Sequence, residues 1–185
     1  MPTLKKTIKQ FTLLNNQSRD KLTVIFTILS FVFILPTSSF AYLIPCFTPQ
    51  EKCLPLILKE IDRATKKVWL QGYTLTSLPI EKALMRARDR MVDVQVILDR
   101  SQIRQRHSRA HTLRQYGIPV YIDSSKGIAH SKIIIADDTV LTGSYNWTHS
   151  AEVRNCENLL ILKNEPETLK LYENNFLHRK GIAIQ

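Results

Sequence analysis

Residues 128–162 read IAHSKIIIADDTVLTGSYNWTHSAEVRNCENLLIL, and this stretch decides the fold. The segment Ala129–Ala136, which contains the apolar residues Ile133–Ile135, predicts a strand that enters the core, and the segment Thr139–Thr142 predicts a second strand. Asp137 and Asp138 lie between the two runs, and aspartates at such positions are typical of a turn. The centre of the stretch is therefore predicted to be a hairpin of two buried strands.

Outside this hairpin, segments of helical and strand-like pattern alternate from residue 54 onward. Apolar residues recur at helical spacing in some segments and alternate or run together in others. The predicted helices are Leu54–Thr65, Pro79–Met91, the basic segment Ile103–Tyr116 and Glu165–Arg179; the further predicted strands are Val68–Leu75, Val92–Leu98, Val120–Asp123 and Asn158–Lys163. This order predicts an α/β domain in which helices sandwich a mixed β-sheet.

Polar side chains with complementary chemistry are concentrated around the hairpin. Residues two apart on a strand share a face, so His130 and Lys132 are predicted to point the same way. A neutral imidazole is a nucleophile near neutral pH, and an adjacent ammonium neutralises phosphate oxygens. Ser144 and Asn146 supply hydrogen-bond donors, and Glu157 is a candidate for orienting an imidazole through its second nitrogen. These groups suit attack on a phosphodiester without a metal.

The spacing of these residues resembles the phospholipase D superfamily. Residues 130–137, HSKIIIAD, match the HxKxxxxD motif of that family, and residues 143–146, GSYN, match its GSxN motif. The resemblance covers residues 47–180 and is strongest to the Nuc-like subgroup of small bacterial nucleases, which carry one motif per chain. It implies that residues 42–185 form a phospholipase D-like catalytic domain.

The resemblance also implies a two-step reaction without a cofactor or a metal. His130 attacks phosphorus to form a phosphohistidine, and a second histidine protonates the leaving oxygen and then activates water. One motif per chain implies a homodimer with a shared active site. Asp137 lies at the predicted turn, so a structural role for it stays open. The implied catalytic residues are His130, Lys132, Asp137, Ser144, Asn146 and Glu157.

The charge balance favours a polyanionic substrate. The chain has 26 Lys and Arg against 16 Asp and Glu, a formal net charge of +10, which attracts nucleic acid or anionic lipid headgroups. We predict an endonuclease acting on DNA or RNA. The alternatives are a phospholipase D that hydrolyses phosphatidyl lipids to phosphatidic acid and a non-catalytic nucleic-acid-binding module. The candidate substrate-binding residues are Arg104, Arg106, Arg109, Lys126 and Trp147, of which Trp147 either stacks on bases or packs in the core.

Residues 1–41 are typical of a signal peptide or a membrane anchor. The uncharged run Leu22–Leu35 follows a basic segment and precedes the small residues Ser39 and Ala41. Cleavage predicts a periplasmic or secreted enzyme. Retention predicts membrane association through residues 22–44 and an enzyme anchored to the inner membrane. In both cases the positive charge before the run predicts a catalytic domain outside the cytoplasm.

Cysteine usage fits an exported protein. Cys46 and Cys53 are candidates for a disulfide in an oxidising compartment, with free thiols as the alternative. Two thiols without a further Cys or a nearby His make a poor zinc site, so no metal is predicted there. We expect Cys156 to be a small buried apolar residue.

Overall fold

The computed structural model describes residues 41–184, which form a seven-stranded sheet flanked by five α-helices. The predicted N-terminal signal or anchor lies outside the described residues, except that residues 42–44 belong to the first strand. The strands are β1 (Tyr42–Thr48), β2 (Lys67–Gly72), β3 (Asp93–Asp99), β4 (Val120–Asp123), β5 (Lys132–Ala136), β6 (Thr139–Gly143) and β7 (Glu157–Lys163). The helices are α1 (Leu54–Arg63), α2 (Leu78–Asp89), α3 (Ala110–Gln115), α4 (His149–Val153) and α5 (Pro166–Gly181).

The sheet is mixed, which confirms the predicted fold class. Its strand order is β1-β7-β6-β5-β2-β3-β4. Strand β3 pairs with β2 and with β4 in parallel. The other four pairs, β1–β7, β7–β6, β6–β5 and β5–β2, are antiparallel. The parallel pairs need crossover connections, and α2 supplies one between β2 and β3. The predicted hairpin is the β5–β6 pair.

Helices cover both faces of the sheet. On one face, α1 and α2 bury apolar stripes that include Ile57, Ile61 and Leu84, all fully buried. On the other face, Phe176 of α5 packs against Ile133 and Ile135 of β5. Burial on both faces explains why β5 reads as a continuous apolar run rather than an alternating one.

The prediction of a basic helix over Ile103–Tyr116 is wrong for most of that segment, because only Ala110–Gln115 is α-helical. A 3₁₀ turn occupies Arg100–Ile103, the chain then has no regular helix until residue 110, and α3 is only six residues long. Residues 104–109 contain no apolar side chain. A helix there would have no apolar face to bury, and packing of such a face supplies most helical stability in proteins.

Strand β1 and helix α4 were not predicted. Strand β1 forms one edge of the sheet beside β7. A disulfide links Cys46 of this strand to Cys53, and the two Cα atoms are 5.8 Å apart. The expectation that Cys156 is buried is wrong, because its side chain is exposed in the turn before β7. Among residues 41–184, no helix is long and apolar enough to cross a membrane.

Candidate active site

The loops that carry the motif residues meet along the edge of the sheet that is formed by the ends of the strands, where β2, β3 and β4 finish. Strands β2, β3 and β4 are parallel, so their carboxyl ends lie at the same edge. Lys132, at the start of β5, pairs with Gly72 at the end of β2. Strand β6 is antiparallel to β5, so Gly143 at its end returns to the same edge. The hairpin therefore brings His130, Lys132 and Ser144 together.

A pocket of about 410 Å³ opens at this edge. His130 is exposed at the pocket, whereas the Lys132 side chain is buried with only 5% exposure. The Lys132 Nζ donates a hydrogen bond to the His130 carbonyl oxygen at 2.6 Å. The residues that line the pocket are His130, Ser131, Lys132, Ile133, Thr142, Gly143, Ser144 and Tyr172.

His130 precedes the regular strand rather than lying on it. The predicted strand began at Ala129, but β5 begins at Lys132. The imidazole packs against the Tyr73 ring, with centroids 4.8 Å apart and an interplanar angle of 58°. The Lys132 Nζ lies 5.7 Å from the centroid of the same ring. Sequence reasoning missed Tyr73, and its only signal was an aromatic residue in a segment predicted to be a buried strand.

Ser144 and Glu157 form a fixed polar pair beside the pocket. The Ser144 hydroxyl donates to Glu157 Oε2 at 2.6 Å and accepts from the Asn158 backbone N–H at 3.0 Å. Asn155 Nδ2 donates to the other carboxylate oxygen of Glu157 at 2.9 Å. A Cβ atom on Gly143 would lie 2.2 Å from the Asn158 carbonyl oxygen, so only glycine permits this close approach.

The electrostatic environment of Lys132 has two opposing influences. Burial lowers the pKa of the Lys132 ammonium below its usual value, because desolvation disfavours the charged form. The negative charge of Glu157 acts in the opposite direction and partly offsets this effect. Glu157 therefore stabilises the ammonium through its charge, and it also holds the Ser144 hydroxyl.

The neighbours of Asn146 in the sequence, Tyr145 and Trp147, are both buried in the core. The Tyr145 and Trp147 side chains are 1% and 0% exposed. Trp147 Nε1 donates to the Gln71 carbonyl oxygen at 3.0 Å, so of the two alternatives for Trp147 the structure shows packing in the core rather than an exposed ring that could stack on bases. The Asn146 Oδ1 atom is buried and has no hydrogen-bond partner within residues 41–184. Asn146 itself is half-buried, and it does not line the pocket.

Glu152 supports this loop from behind. Its Oε2 atom accepts from the Tyr145 hydroxyl at 3.0 Å and from the Leu54 backbone N–H at 2.9 Å. Burial and the Glu152 carboxylate raise the pKa of the Tyr145 phenol. Leu54 follows Cys53 directly, so the disulfide region and the GSYN segment are held by the same carboxylate.

Asp137 is not brought to the His130 pocket. It follows β5 at the opposite end of the strand and lines a separate pocket of about 530 Å³ with Thr65, Lys66 and Lys67. Its carboxylate accepts backbone N–H groups of these three residues at 2.8 to 2.9 Å. Burial favours the neutral acid, but the hydrogen bonds together outweigh it and hold the pKa of Asp137 below its usual value. This geometry is that of a structural residue.

The basic candidates divide into exposed and structural residues. Arg104, Arg106 and Lys126 are exposed, and they lie in the loops after β3 and β4 at the same edge as His130. Arg109 is different, because its Nε donates to the Thr76 carbonyl oxygen at 3.2 Å and its guanidinium pairs with the buried Glu81 at 3.5 Å. Arg109 is therefore held by structural contacts, and its role in substrate binding stays a prediction.

No group of three or more His, Cys, Asp or Glu side chains within residues 41–184 has the arrangement of a metal site.

Comparison with known proteins assigns the chain to a family. Residues 57–180 match the family described as "Cardiolipin synthase, PLD-like domain". Phospholipase D of Rickettsia felis is 42% identical over 137 residues, which cover 74% of this chain and 68% of the relative. Mitochondrial cardiolipin hydrolase of Xenopus laevis is 33% identical over 143 residues, covering 71% of this chain and 68% of the relative.

Solved structures give the same result. Nuc from Salmonella typhimurium, a phospholipase D family member, superposes with a TM-score of 0.74 at 32% identity, covering 78% of this chain and 97% of that one. NucT from Helicobacter pylori has a TM-score of 0.73 at 23% identity, covering 78% of this chain and 99% of that one, and shows the fold. The chain therefore belongs to the phospholipase D superfamily of phosphodiesterases.

Proposed function

We propose that this protein is a nuclease that hydrolyses phosphodiester bonds of DNA or RNA through a phosphohistidine at His130. The observation that carries the proposal is the exposed His130 imidazole at a pocket that also holds the Lys132 ammonium, beside two loops with exposed basic side chains. A nucleophile, a buried cation and a polyanion-binding rim are the three parts that such a reaction needs.

In the first step a ring nitrogen of His130 forms a bond to phosphorus, and the bond from phosphorus to the leaving oxygen breaks. Lys132 compensates the negative charge of the phosphoryl oxygens. The Asn146 amide is a candidate for a hydrogen bond to them, and so is the Ser144 hydroxyl once its proton turns from Glu157 to the substrate. In the second step water cleaves the bond between nitrogen and phosphorus and releases the histidine. An acid must protonate the leaving oxygen and a base must then activate water.

We propose that a second copy of the chain supplies this acid and base. Each chain has one HxKxxxxD motif, and a two-fold axis near the pocket would bring two copies of His130 together in a homodimer. Each protomer would then contribute His130, Lys132 and Asn146 to one shared site.

The charge of the loops supports nucleic acid as the substrate. Residues 100–122 contain no Asp or Glu. Within the described residues, Arg104, Arg106 and Lys126 form no ion pair with a carboxylate, so their charges remain available to phosphate groups. Such groups bind a nucleic-acid backbone through counterion release and tolerate many sequences.

A phospholipase D that releases phosphatidic acid from phosphatidyl lipids is the second candidate. Relatives that include the 42% identical Rickettsia felis protein carry the name phospholipase D, and this favours a lipid substrate. The chemistry at His130 is the same for both candidates, so only the substrate distinguishes them. For either candidate we propose export through the N-terminal segment, ending in a periplasmic, secreted or membrane-anchored enzyme.

The test is a substrate panel for the full chain in mild detergent. Wild type and His130→Ala would be incubated in EDTA with single-stranded DNA, duplex DNA, RNA and mixed micelles of the detergent with phosphatidylcholine or cardiolipin. Cleavage of nucleic acid by the wild type alone is the expected result. Release of lipid headgroups without nucleic-acid cleavage would replace the nuclease by the phospholipase. If activity depended on added metal, the phosphohistidine scheme would be wrong.

A further inference from the structure

Asp99 is a buried carboxylate directly beneath the active-site loops. It is the last residue of β3 and is 2% exposed. Its register partner on β4 is Asp123, which is 1% exposed and ends that strand in the same way. Two buried acids therefore lie side by side at the sheet edge that carries His130, and their hydrogen-bond partners differ.

The Asp99 carboxylate joins two loops that are far apart in sequence. Its Oδ1 accepts from the Ser101 backbone N–H at 2.8 Å, at the start of the segment of residues 100–109 that carries Arg104 and Arg106, here called the basic loop. Its Oδ2 accepts from the Ala129 backbone N–H at 2.7 Å, one residue before His130. The Arg100 guanidinium adds a second tie between the same loops, with a hydrogen bond to the Lys126 carbonyl oxygen at 3.2 Å.

The Asp99 carboxylate takes the place of a strand partner for Ala129, which lies just before the first residue of β5 that pairs with a neighbouring strand. Ala129 is buried with 8% exposure, and the regular strand β5 begins only at Lys132. A buried N–H group needs an acceptor, and Asp99 supplies it. The carboxylate is charged at neutral pH: burial favours the neutral acid, but the hydrogen bonds of Ser101 and Ala129 outweigh it and lower the pKa of Asp99.

We propose that Asp99 is a positioning residue that fixes the His130 backbone through Ala129 and, through Ser101, holds the basic loop in register with it. The inference rests on the proposed role of His130 as nucleophile. It deepens that role, because the exposed imidazole has one packing partner, the Tyr73 ring, among the ring contacts within residues 41–184. The backbone supplies the further constraint on the imidazole position: Lys132 holds the His130 carbonyl oxygen from one side, and Asp99 holds the Ala129 N–H from the other.

Asp99→Asn is the informative substitution because it retains size and shape. An asparagine has one acceptor oxygen and one donor NH₂ group, so one of the two backbone N–H groups faces a donor. A displacement of about 1 Å at a nucleophile costs on the order of 10²-fold in rate. We expect kcat for bis(p-nitrophenyl) phosphate, which is too small to need the basic loop, to fall about 10- to 100-fold.

Asp123→Asn is the matched control. Asp123 is equally buried at the neighbouring strand end, and it accepts from the Ser125 backbone N–H and from the Arg179 guanidinium rather than from Ala129. Its replacement removes a buried carboxylate and an ion pair without touching the residue before His130. We expect a loss of melting temperature at least as large as that of Asp99→Asn, with kcat for the small substrate within about threefold of wild type.

The experiment combines this kinetic comparison with amide hydrogen exchange at Ala129 in the full chain. The Ala129 amide should be protected in wild type and in Asp123→Asn, and it should exchange at least about tenfold faster in Asp99→Asn. For DNA, Asp99→Asn should also raise KM, because the basic loop loses one of its two connections to the loop before His130. An equal fall of kcat in both variants, in proportion to the loss of stability, would overturn the proposal.

Each arm gives a result by itself. If Asp99→Asn does not fold, rapid exchange of the Ala129 amide in wild type would overturn the proposal and slow exchange would support it. If wild type cleaves neither the small diester nor nucleic acid, the nuclease function fails, while the exchange of Ala129 still reports whether Asp99 holds this backbone.

Discussion

Strand β5 carries residues of one sequence motif at both of its ends, and the two ends have different surroundings. At the start, Lys132 is buried beside the exposed His130 and faces an open pocket. Past the other end, Asp137 binds the backbone of residues 65–67 and lines a different pocket from that of His130. Five residues of extended chain separate Lys132 from Asp137, a distance of about 17 Å.

A contiguous motif therefore specifies two different functions. In the proposed reaction the first half supplies the reacting groups, whereas the last residue fixes the turn that follows the strand. Asp137 has a positive φ of 51°, which its short side chain tolerates, and its carboxylate accepts from three backbone N–H groups, of the two residues before β2 and of its first residue. Because β2 pairs with β5 and Val68 is the partner of Ala136, these hydrogen bonds continue the contact between the two strands one residue past the end of β5.

The largest effect is expected at the start of the strand. Lys132→Gln removes the buried cation and should lower kcat about 10²- to 10³-fold, since the charge developing on phosphate is no longer compensated. Thermal stability should change little. Lys59→Gln, on the exposed surface of α1, is the control and should behave as wild type in steady-state assays. A loss of less than about threefold in kcat for Lys132→Gln would contradict the assigned role.

The other end of the strand should respond in the opposite way. Asp137→Asn should reduce the free energy of unfolding by about 1–3 kcal/mol, because backbone N–H groups lose an acceptor, and leave kcat within about threefold. Urea unfolding and steady-state kinetics measure the two quantities. Asp138→Asn is the neighbour control: its carboxylate is exposed, and within residues 41–184 the one hydrogen bond it accepts comes from the Thr139 hydroxyl. A large fall in kcat with unchanged stability would return Asp137 to the catalytic group.

Acid titration sharpens the same comparison. The folded-state pKa of Asp137 is below its usual value, so the stability that its carboxylate contributes is present above the unfolded pKa of about 3.9 and is lost as pH falls through the folded pKa. Wild type and Asp137→Asn should therefore differ most in unfolding free energy near neutral pH and converge in acid. A difference that is constant down to about pH 2 would exclude this linkage.

The smallest effect is expected in the basic loop. Arg104→Gln combined with Arg106→Gln should make log Kd for duplex DNA less dependent on log salt concentration, by a slope of about 0.9 for each phosphate group that the variant no longer binds. Turnover of bis(p-nitrophenyl) phosphate should not change. Arg88→Gln, an exposed residue of α2, is the surface-arginine control and should leave the salt slope unaltered. An unchanged slope in the double variant would place the nucleic-acid path elsewhere.

The sequence predicted those parts of the site that depend on residues close together in the chain. The two apolar strand runs and the turn at Asp137 are enough to fix the hairpin, and the hairpin is enough to bring His130, Lys132 and Ser144 together. The pattern of apolar residues also located most helices and strands to within a few residues. These features depend on short-range geometry, which the sequence expresses directly.

Features that depend on long-range contacts were missed. The Trp147 ring packs against Gly72, and a Cβ atom on Gly72 would lie 2.7 Å from that ring. Nothing in residues 143–149 indicates that Gly72 is the neighbour of Trp147. The Asp99 carboxylate accepts a hydrogen bond from the Ala129 backbone N–H, thirty residues later in the chain. Strand β1 depends on pairing with β7, about 115 positions later in the chain, and so has no local signal that distinguishes it from a continued apolar segment.

The most direct test of the account is capture of the covalent intermediate. The full chain would be mixed with a fluorescent phosphodiester, quenched in alkali within milliseconds to seconds, digested and analysed by mass spectrometry. A phosphoryl adduct on His130 in wild type and in Asp137→Asn, absent in His130→Ala, is the predicted result. An adduct on another residue, or full turnover by His130→Ala, would contradict the assignment of chemistry to the first end of β5.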